Sequence, residues 1–189
     1  MGFTFQESAI PGLFIIKPHY HEDLRGSNLK TFHKETFEQM GLDCDFGETM
    51  ITTNLHKNII RGFHFQKPPY TQCKLYFCLS GAWNNYSLDL RKGSPMYGKV
   101  ICIPMREEER KLLYIPKGIA NAHLIQKENT RVLYQLGSKY MPEYDSGVRW
   151  DSLGIDFGVT KPIMTEKDAA LPSWEEFESP FSYSERDGK

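Results

Sequence analysis

Short runs of branched and aromatic residues, spaced at intervals of about ten residues and divided by turn formers, dominate this chain of 189 residues. Leu13-Phe14-Ile15-Ile16 ends at Pro18, and Met50 to Asn54, Ile59 to Gln66, Lys74 to Leu79 and Ala82 to Leu90 follow. Lys99 to Ile103, Lys111 to Ile115, Ala122 to Gln126 and Arg131 to Leu136 complete the series. Ser80-Gly81, Lys92-Gly93-Ser94-Pro95, Pro116-Lys117-Gly118 and Lys127-Glu128-Asn129 mark turns between them. Such spacing predicts an all-β fold, a closed or double-sheet antiparallel barrel of the jelly-roll (cupin) class with short peripheral helices. One helix is predicted at Lys34 to Met40, stopped by Gly41. No period of 20 to 50 residues recurs, which argues against a propeller or solenoid.

The pattern changes near Lys161. Residues 1–160 are expected to form the barrel, and 161–189 an appendage in which Thr165-Glu166-Lys167-Asp168 starts a helix. The acidic, aromatic stretch Glu175 to Lys189 is left open between packing on the barrel and wandering.

With 23 basic and 24 acidic residues the net charge is −1, which gives no reason to expect a nucleic-acid partner. No apolar stretch reaches about 18 residues, so no membrane span is expected. No basic-then-apolar leader opens the chain, and a cytoplasmic location is expected. Cys44, Cys73, Cys78 and Cys102 form no CxxC pair, lie inside apolar strand-like runs and read as reduced, buried thiols.

Within this frame, Arg61-Gly62-Phe63-His64-Phe65-Gln66 and Gln72-Cys73-Lys74-Leu75 place cations and an imidazole among strand-forming aromatics. Strict alternation would send Arg61 and His64, three residues apart, to opposite sheet faces. His64 and Lys74 lie on separate strands across the turn Lys67-Pro68-Pro69-Tyr70, and in a barrel they converge on one interior. An imidazole and an ammonium together can take a proton beside a carbonyl and hold the resulting charge. Alternation in Arg131 to Leu136 groups Val132, Tyr134 and Leu136, making Tyr134 either a core phenol or a proton donor. A metal-dependent barrel of this class would need a His-x-His cluster with further Glu and His; His64 has no such neighbour, and His19 and His21 lie in an early loop. Neither metal nor cofactor is expected.

These segments, with Leu88-Asp89-Leu90-Arg91-Lys92-Gly93-Ser94-Pro95, Tyr114-Ile115-Pro116-Lys117-Gly118 and Tyr140-Met141-Pro142-Glu143, resemble the dTDP-4-dehydrorhamnose 3,5-epimerase family. Asp23-Leu24-Arg25-Gly26 and Ile155-Asp156-Phe157 fit the same pattern, and the similarity runs from about Gly12 to Asp168. The resemblance implies a homodimeric, metal-free isomerase acting on a nucleotide-diphosphate 4-keto sugar for surface polysaccharide assembly. It makes His64 the base and Asp168 the carboxylate that orients it. Lys74 becomes the cation near the ketone oxygen, and Tyr134 the acid on the opposite ring face. Arg61 matches a phosphate contact, and Arg25 a nucleotide contact reaching across the dimer interface. Asn54, Gln66, His123 and Tyr140 are further candidates for substrate binding.

Three departures from the family stand out. Asn85 replaces a carboxylate and Asn121 a histidine, two positions expected near the sugar, where drift and a changed sugar or single-centre epimerisation are both open. Asn121-Ala122-His123 also resembles epimerases of GDP-linked 4-keto heptoses. Lys30 stands where thymidine-binding members carry a glutamate that accepts from the base; lysine only donates, which favours CDP or GDP unless Lys30 points to solvent. The competing readings are a 3,4-ketoisomerase on a similar sugar and a non-catalytic sugar-binding barrel.

Overall fold

The computed structural model describes residues 2–184. Its strands are β1 (Phe3–Glu7), β2 (Phe14–Pro18), β3 (Tyr20–Asp23), β4 (Gly26–Leu29), β5 (Glu48–Asn54), β6 (Ile60–Gln66) and β7 (Lys74–Ser80). They continue as β8 (Ala82–Asp89), β9 (Val100–Arg106), β10 (Leu112–Ile115), β11 (Ile119–Ile125), β12 (Thr130–Leu136) and β13 (Asp145–Gly147). Two short α-helices accompany them, α1 (Lys34–Gln39) and α2 (Glu166–Ala169).

One antiparallel sheet runs β1-β2-β10-β7-β12-β5 and a second β13-β6-β11-β8-β9, with β3 and β4 forming a separate hairpin. This is the all-β jelly roll that the strand spacing predicts. The sheets enclose a core of Leu13, Tyr76, Trp83, Met105, Leu113, Ile125 and Val132. Their outer faces are also covered, which is why β10 reads as a continuous apolar run and why the outward residues of β11, Ala120, Ala122 and Leu124, are apolar. Phe37 of α1 packs with Leu75, Leu112 and Tyr114 over the first sheet. Helix α1 ends where expected, at Gly41 with φ of 73°.

Over the second sheet, Phe63, Phe65, Leu88 and Ala122 pack against Phe157, Trp174, Phe177 and Phe181. The C-terminal segment is therefore seated on the barrel through Tyr183, whose amide donates to Lys92 O. The end of the acidic stretch, residues 185–189, lies outside the described residues.

Three expectations need correction. Arg61 and His64 share a face: β11 pairs Asn121 with His64 and His123 with Arg61, so three steps on β6 match two on β11. The extra residue is a β-bulge, which cancels the alternation. It is built at Gly62, with φ of +112°, where a β-carbon would collide with Asn121 O. Cys102 is exposed on the outer side of β9 instead of buried, and Cys44 lies in the loop after α1 rather than in a strand. All four cysteines are free thiols. The N-terminal strand β1 and the β3–β4 hairpin were not predicted.

Candidate active site

A cavity of about 350 Å³ opens between the sheets. From β6 it receives Arg61, His64 and Gln66, from β7 Lys74 and Tyr76, from β11 Asn121 and His123, and from β12 Tyr134. The bulge brings the first two together, and ordinary alternation supplies the rest.

His64 and Asp168 are joined by a hydrogen bond of 3.0 Å between Nε2 and Oδ1. Asp168 arrives on α2, whose N-cap Thr165 accepts from the Asp168 amide. Burial alone would raise the Asp168 carboxyl, but the His64 contact, Thr165 and the Gly62 amide hold it below the usual carboxylate value. An ionised carboxylate only accepts, so Nε2 carries the hydrogen and the Nδ1 lone pair is left free. Among the described residues Nδ1 has no hydrogen-bond partner, and Asp145 Oδ1 lies 4.0 Å from it.

Lys74 enters from the opposite sheet. Its ammonium donates to His64 O at 3.1 Å and to Asn121 Oδ1 at 2.5 Å. Burial lowers it to about 8, with Asp145 pulling the other way. Tyr134 is buried, its hydroxyl 2.9 Å from His123 Nδ1, and burial pushes it up to about 12. It therefore stays protonated at neutral pH.

Other expected residues fall into different places. Arg61 lines the cavity while exposed, its Nε donating to Asn54 Oδ1 at 2.8 Å; Asn54 itself is buried behind it and does not reach the cavity. Gln66 lines the wall, but its amide is engaged by Tyr70 O, Lys139 O and the Met141 amide, so it clamps loops. Tyr140, half exposed, donates to Asp145 Oδ2. Asn85 is buried and pairs with His123 but does not line the cavity, donating to Ser87 Oγ at 2.8 Å. Arg25 and Lys30 do not reach this cavity within one chain. Arg25 occupies the tip of the β3–β4 hairpin, held by Asp23.

The cavity also contains Thr52, Tyr76, Asp145 and Lys167, which were not predicted. Tyr76 was within reach of the alternation argument, two residues beyond Lys74. Asp145 and its ion pair with Lys167 had no local signal. No group of three or more metal-capable side chains gathers among the described residues. No described helix is long and apolar enough to cross a membrane.

An imidazole with one nitrogen bound to carboxylate, a cation at hand and a phenol in the facing sheet are suited to moving protons beside a carbonyl, and on a jelly roll they define an isomerase of the cupin class. Residues 7–176 match the family profile described as dTDP-4-dehydrorhamnose 3,5-epimerase, and the chain belongs to that family. It is 31% identical over 182 residues to the dTDP-4-dehydrorhamnose 3,5-epimerase of Sinorhizobium fredii, covering 95% of this chain and 93% of that one. The crystal structure of the Bacillus anthracis dTDP-4-dehydrorhamnose 3,5-epimerase with TDP and pyrophosphate bound superposes with a TM-score of 0.87 at 30% identity, covering 91% and 99% of the two chains. The Legionella pneumophila dTDP-6-deoxy-D-glucose-3,5-epimerase, solved with dTDP-4-keto-L-rhamnose, gives 0.90 at 25% identity over 97% and 100%.

Proposed function

We propose that the protein epimerises a nucleotide-diphosphate 4-keto sugar at C5, C3 or both, through an enolate. The observation that carries this reading is the division of labour at His64: Nε2 is held by Asp168 and Nδ1 is left as a base. A C4 ketone acidifies the neighbouring C–H bonds because the carbanion delocalises onto oxygen. His64 takes the proton, and Lys74 stabilises the oxyanion as it develops. Tyr134, on the opposing sheet, returns a proton to the other ring face and inverts the centre. Arg61 is the phosphate anchor, its guanidinium fixed by Asn54 and free to offer its remaining N–H groups to a diphosphate.

The working unit in this reading is a homodimer. Leu24 and Arg25 at the hairpin tip are fully or largely exposed, and edge strand β5 shows Met50 and Ile51 to solvent, with Leu55 just beyond it. Such a surface suits a second copy, across which Arg25 and Lys30 reach the neighbour's nucleotide. Lys30 is exposed within one chain, so dTDP, GDP and CDP all fit the reading; CDP or GDP gains the preference only where Lys30 meets the base across the dimer, since it donates where the family accepts. Hexose and heptose both fit the reading, with surface polysaccharide assembly as the setting.

The test is a panel of 4-keto hexoses and heptoses carrying dTDP, GDP or CDP, with products resolved by NMR. Inversion of any one supports the reading. A 3,4-keto shift, or binding without turnover across the panel, overturns it.

A further inference from the structure

Asn121 stands between the cation and the acid of the site. Its Oδ1 accepts from Lys74 Nζ at 2.5 Å and from the Tyr76 hydroxyl at 3.2 Å. An ammonium only donates, so the amide is oriented with oxygen toward Lys74 and nitrogen toward His123. The Asn121 Nδ2 then donates to His123 Nε2, 3.2 Å away. A ring nitrogen that accepts bears no hydrogen.

His123 is 2% exposed, and burial with the nearby Lys74, Arg61 and His64 pushes it down to about 3. It is neutral at any working pH, with a single N–H. Since Nε2 accepts, that hydrogen is on Nδ1 and is donated to the Tyr134 oxygen at 2.9 Å. The Tyr134 hydroxyl is thereby an acceptor toward the core, and its own hydrogen is left for the cavity side, where the otherwise unpartnered Thr52 Oγ1 and the substrate compete for it.

We propose that Asn121 and His123 are positioning residues that set Tyr134 as a proton donor facing the substrate and hold its phenolate once the proton has gone. This rests on the epimerase reading and deepens it. In the step concerned, the Tyr134 O–H bond breaks and its electrons stay on oxygen. The enolate pair forms the new C–H bond while the C4 carbonyl re-forms. The phenolate accepts from His123 Nδ1–H and regains a proton from solvent; His64 releases to solvent the one it took. The opposite tautomer would draw the Tyr134 hydrogen onto Nδ1 and away from the sugar. The residue at 121 thus acts on a group two hydrogen bonds away, which gives its difference from the family a consequence.

The test begins with ¹⁵N NMR of the His123 ring in the intact, substrate-free protein. The expected spectrum has Nδ1 protonated and Nε2 bare throughout the neutral pH range; a protonated Nε2 or an imidazolium overturns the proposal. Asn121→Asp removes the donor to Nε2 and is expected to move the hydrogen to Nε2. In D₂O with a substrate that turns over, that variant is expected to lose inversion by about tenfold more than it loses deuterium wash-in. Equal losses of both, or an unmoved tautomer, overturn the positioning role. Should the wild type turn over nothing, the epimerase reading fails while the tautomer measurement still decides the hydrogen-bond chain.

Discussion

His64 and Asp168 lie 104 residues apart in sequence and meet at 3.0 Å between imidazole Nε2 and carboxylate Oδ1. The barrel supplies the histidine and the C-terminal segment the carboxylate, so the site exists only when that segment is docked.

Asp168→Asn leaves a side chain of similar shape but no charge to hold the His64 tautomer or to stabilise the imidazolium. Proton abstraction is expected to slow by roughly 10²–10⁴, read as the initial rate of solvent deuterium entering the sugar. A loss below threefold would place the base elsewhere.

Lys74 supplies a pH dependence with a definite sign. It is charged below about 8 and neutral above, so turnover is expected to fall as pH rises through that value. Stability moves the other way: an unfolded lysine titrates near ~10.4, so between the two values the unfolded chain binds more protons and the fold gains stability with rising pH. Lys74→Met is expected to remove both trends, checked by rate profiles and by urea titrations over the same interval.

Arg61→Ala removes a charge-assisted contact to phosphate, worth about 1.5–3 kcal/mol. KM is expected to rise roughly ten- to hundredfold with kcat much less affected, whereas Arg61→Lys recovers only part because an ammonium lacks the fork. Steady-state kinetics on the best panel substrate separate the two effects.

The docked C-terminal segment should be measurable as stability. Phe181 is 9% exposed with its ring 5.4 Å from that of Phe65, the neighbour of His64. Phe181→Ala is expected to cost about 3 kcal/mol in denaturant titrations. A negligible cost would mean that the segment is not packed as described.

Most of the barrel was legible because its strands are long enough to show alternation or a buried apolar run, with turn residues at their ends. The β3–β4 hairpin was not: His21, Glu22, Asp23, Ser27 and Asn28 are polar, and nothing periodic marks them. His64, Lys74, Tyr134 and Asp168 all line one cavity, three of them on barrel strands and the fourth on a capped helix. The side of the sheet on which Arg61 falls was misread, because a bulge depends on pairing with β11, which no local pattern reveals. The depth of Asn85 and the Asp145–Lys167 pair depend likewise on contacts between distant segments.

The account stands most directly on His64 as the base. With a turned-over 4-keto sugar in D₂O, NMR should show deuterium at the inverted carbon for the wild type and none at any carbon for a folded His64→Ala. Deuterium entering at an undiminished rate in His64→Ala would contradict it.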